Sequence, residues 1–451
     1  MRQRLTYLLA FALTIPLAIP LYGASQLDVP SVAYRHRTLP NGMEVYSVRD
    51  TSIPRVAIQV WYRVGSKNDP PHRSGFAHLF EHIMFKSTKH MPSEFFDRLT
   101  EDVGGENNAT TRDDSTNYYE VIPSNYLETL LWAEGERLAS LTVNEANFKS
   151  ERDVVKEEYR FRILAPPYGR LYYSLDKDSW QVHPYKRPGI GSIEDLDAST
   201  LSDVKKFHST YYRPDNAVIV VAGDFDDAQL DGWVDKYLGT IPRPKTAIPR
   251  VTVKEPPHKE LKRFTEYGPN VPLPAAAMTW IIPDARSADS APLTVAAAVL
   301  GLGESSRAYQ SLVYREKIAN EVEIDADERE DAGLFIAFAI MSSNHKVSEG
   351  HKALRKEIDA LAQKPVSEAE LTKAKNQIIA NILRERETNN GTAFEIGQSV
   401  VVEHDAAAVN KDIRKLQAVT PGDVKRVVET YLVKGKPTLI DYESQPGGGA
   451  K

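Results

Sequence analysis

Thr200–Tyr212 reads TLSDVKKFHSTYY, and Thr420–Leu432 reads TPGDVKRVVETYL. With Thr200 laid on Thr420, Thr, Asp, Val, Lys, Thr and Tyr coincide position by position. Each segment opens on Thr with Asp three residues later. That pair marks a helix N-terminus: the hydroxyl accepts an otherwise unpaired N–H, and the carboxylate sits at the favourable end of the helix dipole. The first segment leads into a short loop, the strand-like Ala217–Ala222 (AVIVVA), Gly223-Asp224 and a further helix. The second leads into Thr438–Tyr442, its matching strand. Agreement in helix, following strand and segment size predicts an internal duplication.

Between the copies lies 241–260, IPRPKTAIPRVTVKEPPHKE, with Pro242, Pro244, Pro249, Pro256 and Pro257. Such a run excludes helix and central strand and reads as a semi-rigid spacer. It predicts domains at 26–240 and 261–445, followed by a frayed tail, 446–451, containing Gly447-Gly448-Gly449. Each half mixes alternating strands (Val56–Arg63; Gly333–Ile340) with amphipathic helices (Leu127–Leu141; Gly350–Leu361). The expected class is α+β: two homologous domains, each a mainly antiparallel sheet with helices packed on one face.

Residues 1–25, MRQRLTYLLAFALTIPLAIPLYGAS, have the layout of a secretory signal peptide. Arg2 and Arg4 precede a mostly apolar Leu5–Leu21, and small residues offer cleavage after Ser25. The competing reading is a retained membrane anchor, for which this stretch is short and twice interrupted by proline. Cleavage implies export, to the periplasm in a bacterium. With 56 Lys+Arg against 62 Asp+Glu, the net charge of -6 lacks the basic footprint of a nucleic-acid binder. The absence of cysteine excludes disulfides, thiol nucleophiles and Cys-bound metals, so any metal must be held by His, Asp and Glu.

Gly75–Phe85 reads GFAHLFEHIMF. Phe76, Leu79, Phe80, Ile83 and Met84 predict a largely buried helix carrying His78, Glu81 and His82. Residues four apart share a helical face, so both imidazoles can reach one zinc ion, while Glu81 can reach a water without being a ligand. The bland alternative is a pair of satisfied core histidines. A catalytic zinc needs a third protein ligand. Ser150–Arg162, SERDVVKEEYRFR, reads as a helix with Glu151 and Glu158 on one face, Glu157 elsewhere, and Val154 and Val155 toward the core. A carboxylate on that face could close a His₂Glu site, although on spacing alone the favoured reading of each is a solvated surface residue.

His78-Leu79-Phe80-Glu81-His82 resembles the inverted zinc motif of the pitrilysin family, which includes insulin-degrading enzyme and the mitochondrial processing peptidase. Glu158, 76 positions after His82, falls where that family places its third ligand, and Glu151 matches the glutamate that supports the ligands. Asn107-Asn108-Ala109-Thr110-Thr111, with Asp114, Thr116 and Tyr118, resembles the family's substrate-facing edge strand. His183-Pro184-Tyr185 and Tyr212–Asn216 resemble further blocks, and the likeness covers roughly 35–440. The size is similar to the small bacterial subfamily, in which one polypeptide is half of the full enzyme. The resemblance implies a zinc endopeptidase with one Zn2+ on His78, His82 and Glu158, Glu81 as general base, and extended peptides as substrates enclosed between halves.

One departure concerns the second half. Ser305-Ser306-Arg307 and Leu312–Lys317 resemble the block carrying the family's substrate-contacting Arg and Tyr. Arg315 matches, but seven residues later stands Val322, with Tyr309 and Tyr314 out of register. This implies a heterodimer with a related subunit supplying the Arg/Tyr pair, or a homodimer with another residue replacing Tyr. The alternatives to an enzyme are a non-catalytic scaffold or peptide-binding subunit of the same fold, and a structural zinc site in an exported binding protein. His183, His208 and His258 read as surface or core residues, Trp132 and Trp180 as core, and Asp327–Asp331 as a solvated turn.

Overall fold

The computed structural model describes Leu27 and residues 29–446. The leader 1–25 and the Gly447–Gly449 run lie outside the described residues. The first half runs β1 (Arg35–Thr38), β2 (Glu44–Arg49), β3 (Arg55–Tyr62), α1 (Phe76–Ile83), α2 (Phe95–Glu101), β4 (Glu106–Thr111), β5 (Thr116–Pro123), α3 (Leu127–Ser140), α4 (Glu145–Tyr159), α5 (Gly169–Ser179), α6 (Ile193–Asp197), α7 (Leu201–Tyr211), β6 (Ala217–Gly223) and α8 (Asp227–Tyr237). The second runs β7 (Lys262–Gly268), β8 (Ala275–Ile282), α9 (Ser290–Gly301), β9 (Ala319–Asp327), β10 (Gly333–Met341), α10 (Val347–Gln363), α11 (Glu368–Glu385), α12 (Asn389–Val402), α13 (Ala408–Ala418), α14 (Pro421–Val427) and β11 (Thr438–Ser444). Residues 241–260 form no helix or strand. No helix among the described residues is long and apolar enough to cross a membrane.

The strand orders are β1-β2-β6-β3-β5-β4 and β7-β11-β8-β10-β9. In each sheet one neighbouring pair is parallel, β2 with β6 and β7 with β11; the remaining pairs are antiparallel. Apart from the extra edge strand β1, the two sheets therefore share one topology. The offset that lays Thr200 on Thr420 also aligns the first residues of β3 and β8, α3 and α10, α5 and α12, and α7 and α14. Both Thr-x-x-Asp segments form reciprocal capping boxes, at Thr200/Asp203 and at Thr420/Asp423.

Period-two alternation sorts each strand between two cores. From β3 and β6, Val56, Ile58, Val60, Ala217, Ile219 and Val221 pack under the helices of the first half, with Phe76 and Phe80. The intervening Trp61, Val218, Val220 and Ala222 point the other way, onto Ala393, Ile396, Val400 and Val401 of α12. Gly397 makes that approach possible, because a Cβ there would lie 2.1 Å from the Trp61 indole nitrogen. Reciprocally, Leu171 and Leu175 of α5 cover Ala275, Ala277, Phe338 and Ile440 on the second sheet. Each half thus lends one helix to close the face its partner's own helices leave bare. With about 1.5–3 kcal/mol per buried Leu or Ile, this exchange welds the halves.

The run Asp327–Asp331, expected as a solvated turn, instead joins the halves. Arg329 is 6% exposed and pairs with Asp113 (2.8 Å), Asp176 (2.7 Å) and Asp327. Glu330 and Asp331 meet Lys67, which also pairs with Asp114 at 2.8 Å. Carboxylates that read as hydrophilic in sequence are here half-buried because a cation from the other half of the chain neutralises them. His183 is buried beside Asp331, Trp180 is core, and Trp132 is partly buried.

Candidate metal centre

Two devices fix α1. Its apolar side chains Phe76, Ala77, Leu79, Phe80 and Ile83 are buried under the first sheet, which leaves His78 and His82 to face α4. Its N-terminus is held by Asp69, 3% exposed, whose carboxylate accepts the N–H groups of Gly75 (2.6 Å) and Ala77 (2.9 Å). An acceptor at the positive end of the dipole supplies the cap that Gly75 cannot. Gly75 itself has φ +91°, and a Cβ there would meet the Ile190 carbonyl at 2.8 Å. Only glycine fits that entry to the helix.

Helix α4 begins at Glu145, earlier than the sequence suggests, because the Asn144 side chain accepts the Asn147 N–H. Its α-helical part ends at Tyr159 and continues as a π-turn over Arg160–Leu164. Phe148, Glu151 and Val155 are buried, and this stripe continues to Glu158. Val154, expected toward the core, is 46% exposed because it lies off the stripe. Glu157 is turned away and pairs with Arg160.

The stripe meets the histidines. Glu158 Oε2 lies 3.1 Å from His82 Nε2 and 3.6 Å from His78 Nε2. One ligand atom from each of His78, His82 and Glu158 lies within 4.8 Å of the others, the one such group of three found among the described residues. Two imidazole nitrogens and a carboxylate oxygen form a donor set that suits zinc, with one position of a four-coordinate sphere left for a non-protein ligand. Glu151 stands behind: Oε2 is 3.7 Å from His82 Nδ1, and Oε1 receives Lys86 (2.9 Å) and the Ser150 hydroxyl (3.1 Å). The other Glu158 oxygen receives Arg162 at 3.0 Å.

The electrostatics separate the two rings. Burial holds His78 down at about 4, so its imidazole is neutral, the form that binds metal. Burial also opposes charge on His82, but the contacts to Glu151 and Glu158 outweigh it and hold it up at about 9. For both glutamates burial works against ionisation, yet contacts with His82 keep each below its ordinary value. Glu81 behaves oppositely: burial raises it, against a hydrogen bond from Thr111.

That hydrogen bond, Thr111 Oγ1 to Glu81 Oε2 at 2.5 Å, joins the centre to β4. β4 is an edge strand, paired to β5 alone. Asn107, Asn108, Ala109 and Thr110 lie opposite Glu120, Tyr119, Tyr118 and Asn117. Asn107 donates to Thr100, and Asn108 accepts the N–H of Ala109. Arg315 is not brought to this cluster by any hydrogen bond or ion pair; it is exposed at the end of the turn Tyr309–Arg315. Val322 is 9% exposed and packs into the second core. Asp69, Lys86 and Arg162 escaped the sequence reading. Asp69 stands six residues before Gly75, at the head of Asp69-Pro70-Pro71, too far from the helix entry for a local capping pattern to reveal it.

In the second half no such cluster occurs among the described residues. The comparisons divide the chain the same way. The sequence model described as "Insulinase (Peptidase family M16)" matches residues 44–190, and that described as "Peptidase M16 inactive domain" matches residues 199–378. The chain is 31% identical to the zinc protease PqqE of Helicobacter pylori over 89% of this chain and 91% of the relative. It is 24% identical to a probable mitochondrial-processing peptidase subunit beta of Arabidopsis thaliana, over 88% and 76%. A crystal structure of a protease from Helicobacter pylori superposes with a TM-score of 0.87 at 28% identity, covering 91% of this chain and 99% of the other. The family resemblance read from His78–His82 is thereby borne out: this chain belongs to the insulinase family of peptidases, M16.

Proposed function

We propose that the chain is the metal-bearing subunit of an exported zinc endopeptidase that cleaves extended or unfolded peptides. The convergence of His78, His82 and Glu158 carries the reading. When bound, zinc would supply Lewis acidity, polarising a carbonyl oxygen and acidifying water near neutral pH. Glu81 takes the proton from the attacking water and passes it to the departing amine. Its burial, which raises its proton affinity, suits both halves of that task. Glu151 holds the His82 ring through Nδ1, leaving Nε2 for the metal. The peptide adds as a strand to β4 along Asn107, Asn108, Ala109 and Thr110, so affinity comes from backbone pairing and sequence demands are loose.

Arg315 contacts the substrate, and a related partner subunit supplies an Arg/Tyr pair. Val322 cannot stand in for the Tyr, since its side chain is committed to the second core. A homodimer with another residue in that role is the alternative assembly. The leader 1–25 directs the chain to the periplasm of a bacterium.

The test is metal content together with hydrolysis of a quenched peptide, with and without chelator. The expected result is one zinc per chain and chelator-sensitive hydrolysis, with Glu81→Gln retaining zinc and losing turnover. A metal-loaded chain whose Glu81→Gln variant remains fully active sinks the reading. Peptide binding without hydrolysis, even with the partner present, would favour the non-catalytic scaffold. Full activity of the purified chain alone removes the heterodimer.

A further inference from the structure

The β4–β5 turn of the first half and the β9–β10 turn of the second occupy corresponding places in their sheets, and they meet. The first turn, Arg112–Ser115, closes with the Arg112 N–H on the Ser115 carbonyl at 2.8 Å. Asp113 faces Arg329 at 2.8 Å, and Asp114 accepts the Glu330 N–H at 2.9 Å. Arg329 lies over the rings of Trp180 (5.6 Å) and Tyr185 (5.1 Å). It also holds Asp176 of α5 and Asp327 at the end of β9. The residue immediately before the first turn is Thr111, whose hydroxyl donates to Glu81.

We propose that Arg329 is a positioning residue for the hydrolytic centre: from the second half it clamps the β4–β5 turn through Asp113 and so holds Thr111 on the Glu81 carboxylate. The inference rests on the hydrolytic reading of Glu81 above. Its physical basis is charge accounting. Asp113, Asp176 and Asp327 converge on this one guanidinium. Without it three carboxylates face one another, and of the three Asp113 alone is carried on a turn, Asp176 lying in α5 and Asp327 at the end of β9. Ser66 also holds the turn, through its hydroxyl on Asp113 (2.5 Å) and its N–H on the Arg112 carbonyl (3.1 Å). The Lys67 N–H on the Asp113 carbonyl (3.1 Å) and the Tyr185 hydroxyl on Asp114 (2.5 Å) hold it further, and the other cation at the turn, the Lys67 ammonium, faces Asp114 (2.8 Å) and leaves the Asp113 carboxylate to Arg329. This gives the half without metal ligands a defined role in catalysis.

The test uses the full zinc-loaded chain, assembled with its partner subunit wherever activity requires it, with Arg329→Gln, Thr111→Val and the double variant. Arg329→Gln is expected to keep its zinc, to accelerate amide exchange in residues 106–116 about tenfold or more, and to lower kcat/KM by about 10- to 100-fold. Thr111→Val lowers kcat/KM similarly, and the double variant is no worse than the weaker single one. Asp113→Ala removes the tether from the first-half side without adding repulsion. It must raise exchange in 106–116 and lower kcat/KM in the same direction by a smaller factor, which covers the case of an Arg329→Gln chain that fails to fold. Unchanged exchange in 106–116, or losses that multiply in the double variant, overturns the proposal. A wild-type chain that shows no chelator-sensitive hydrolysis even with its partner subunit present overturns the hydrolytic reading instead, and the exchange measurement still decides whether Arg329 tethers the turn.

Discussion

Helices α1 and α4 of the first half, and α9 and α11 of the second, are the same pair of elements filled with different chemistry. α1 sets His78, Glu81 and His82 among buried aromatic and aliphatic residues. α9, Ser290–Gly301, carries no titratable residue and buries Leu293, Val295, Ala296, Val299 and Leu300. On the facing helix, the offset that lays Thr200 on Thr420 sets Leu371 and Ile378 against Glu151 and Glu158. Leu371 is 1% exposed in the second core, and Ile378 packs against it. A helix pair that can be closed with hydrocarbon has thus been opened in one copy to hold polar side chains. Burying those groups is costly unless they are satisfied, so the first half gives up cohesion that the second retains. The contrast locates the chemistry in a few side chains on a shared skeleton.

The largest expected effect tests whether the first pair is a metal centre at all. His82→Ala should lose zinc on dialysis and reduce peptide hydrolysis to background, measured by metal analysis and a quenched-peptide assay. Retained zinc and activity would mean that the facing helices are only a polar version of the α9–α11 contact. Next comes Glu81→Gln, expected to keep one zinc per chain and to lose about 10²- to 10⁴-fold in kcat. Loss of zinc in this variant would make Glu81 a ligand and not a proton carrier.

The counterpart positions give a sharper comparison. Leu371→Ala should cost about 2–5 kcal/mol of stability in denaturant unfolding and leave zinc affinity unchanged. Glu151→Gln should weaken zinc about 10- to 100-fold, because His82 loses the carboxylate on Nδ1. In the metal-free protein it should also cost about 1–3 kcal/mol, because the buried carboxylate pairs with Lys86 and His82. If both substitutions acted on stability alone, Glu151 would be a packing residue like its equivalent.

Much of this difference is legible in the sequence, and what escapes it has a physical pattern. The spacing of His78 and His82 determines a shared face, and the duplicated Thr-x-x-Asp helices determine the common skeleton. Periodicity says which residues share a face, not what that face meets. The alternation in β3 marks Trp61 as opposite to Val60, yet nothing local announces that α12, from the far half of the chain, covers it. Arg329 reads as hydrophilic, and its burial follows from Asp113 and Asp176 arriving from the other half. Val154 is misplaced by the sequence because two adjacent valines look alike, while the buried stripe of α4 admits only Val155. Asp69 caps α1 across an intervening loop, outside the reach of a local capping pattern.

The smallest expected effect asks whether the skeleton is indifferent to the chemistry it carries. Thr200 and Thr420 cap α7 and α14 identically, each accepting an N–H from Asp203 or Asp423 at 3.2 Å. Thr200→Ala and Thr420→Ala should each cost about 1 kcal/mol of stability. Pro421 pre-sets the first turn of α14, which is the same in both states of the cap and should not separate the two values. The partners of the capping carboxylates differ: Asp203 also pairs with Arg73 at 3.3 Å, close to the start of α1, whereas Asp423 lies near Arg426 at 3.8 Å. If the halves share only a scaffold, zinc affinity is unmoved by either change. If Thr200→Ala weakens zinc and Thr420→Ala does not, then Arg73 transmits the cap to the helix of His78 and His82, and the first copy has recruited a structural residue that its twin uses for stability alone.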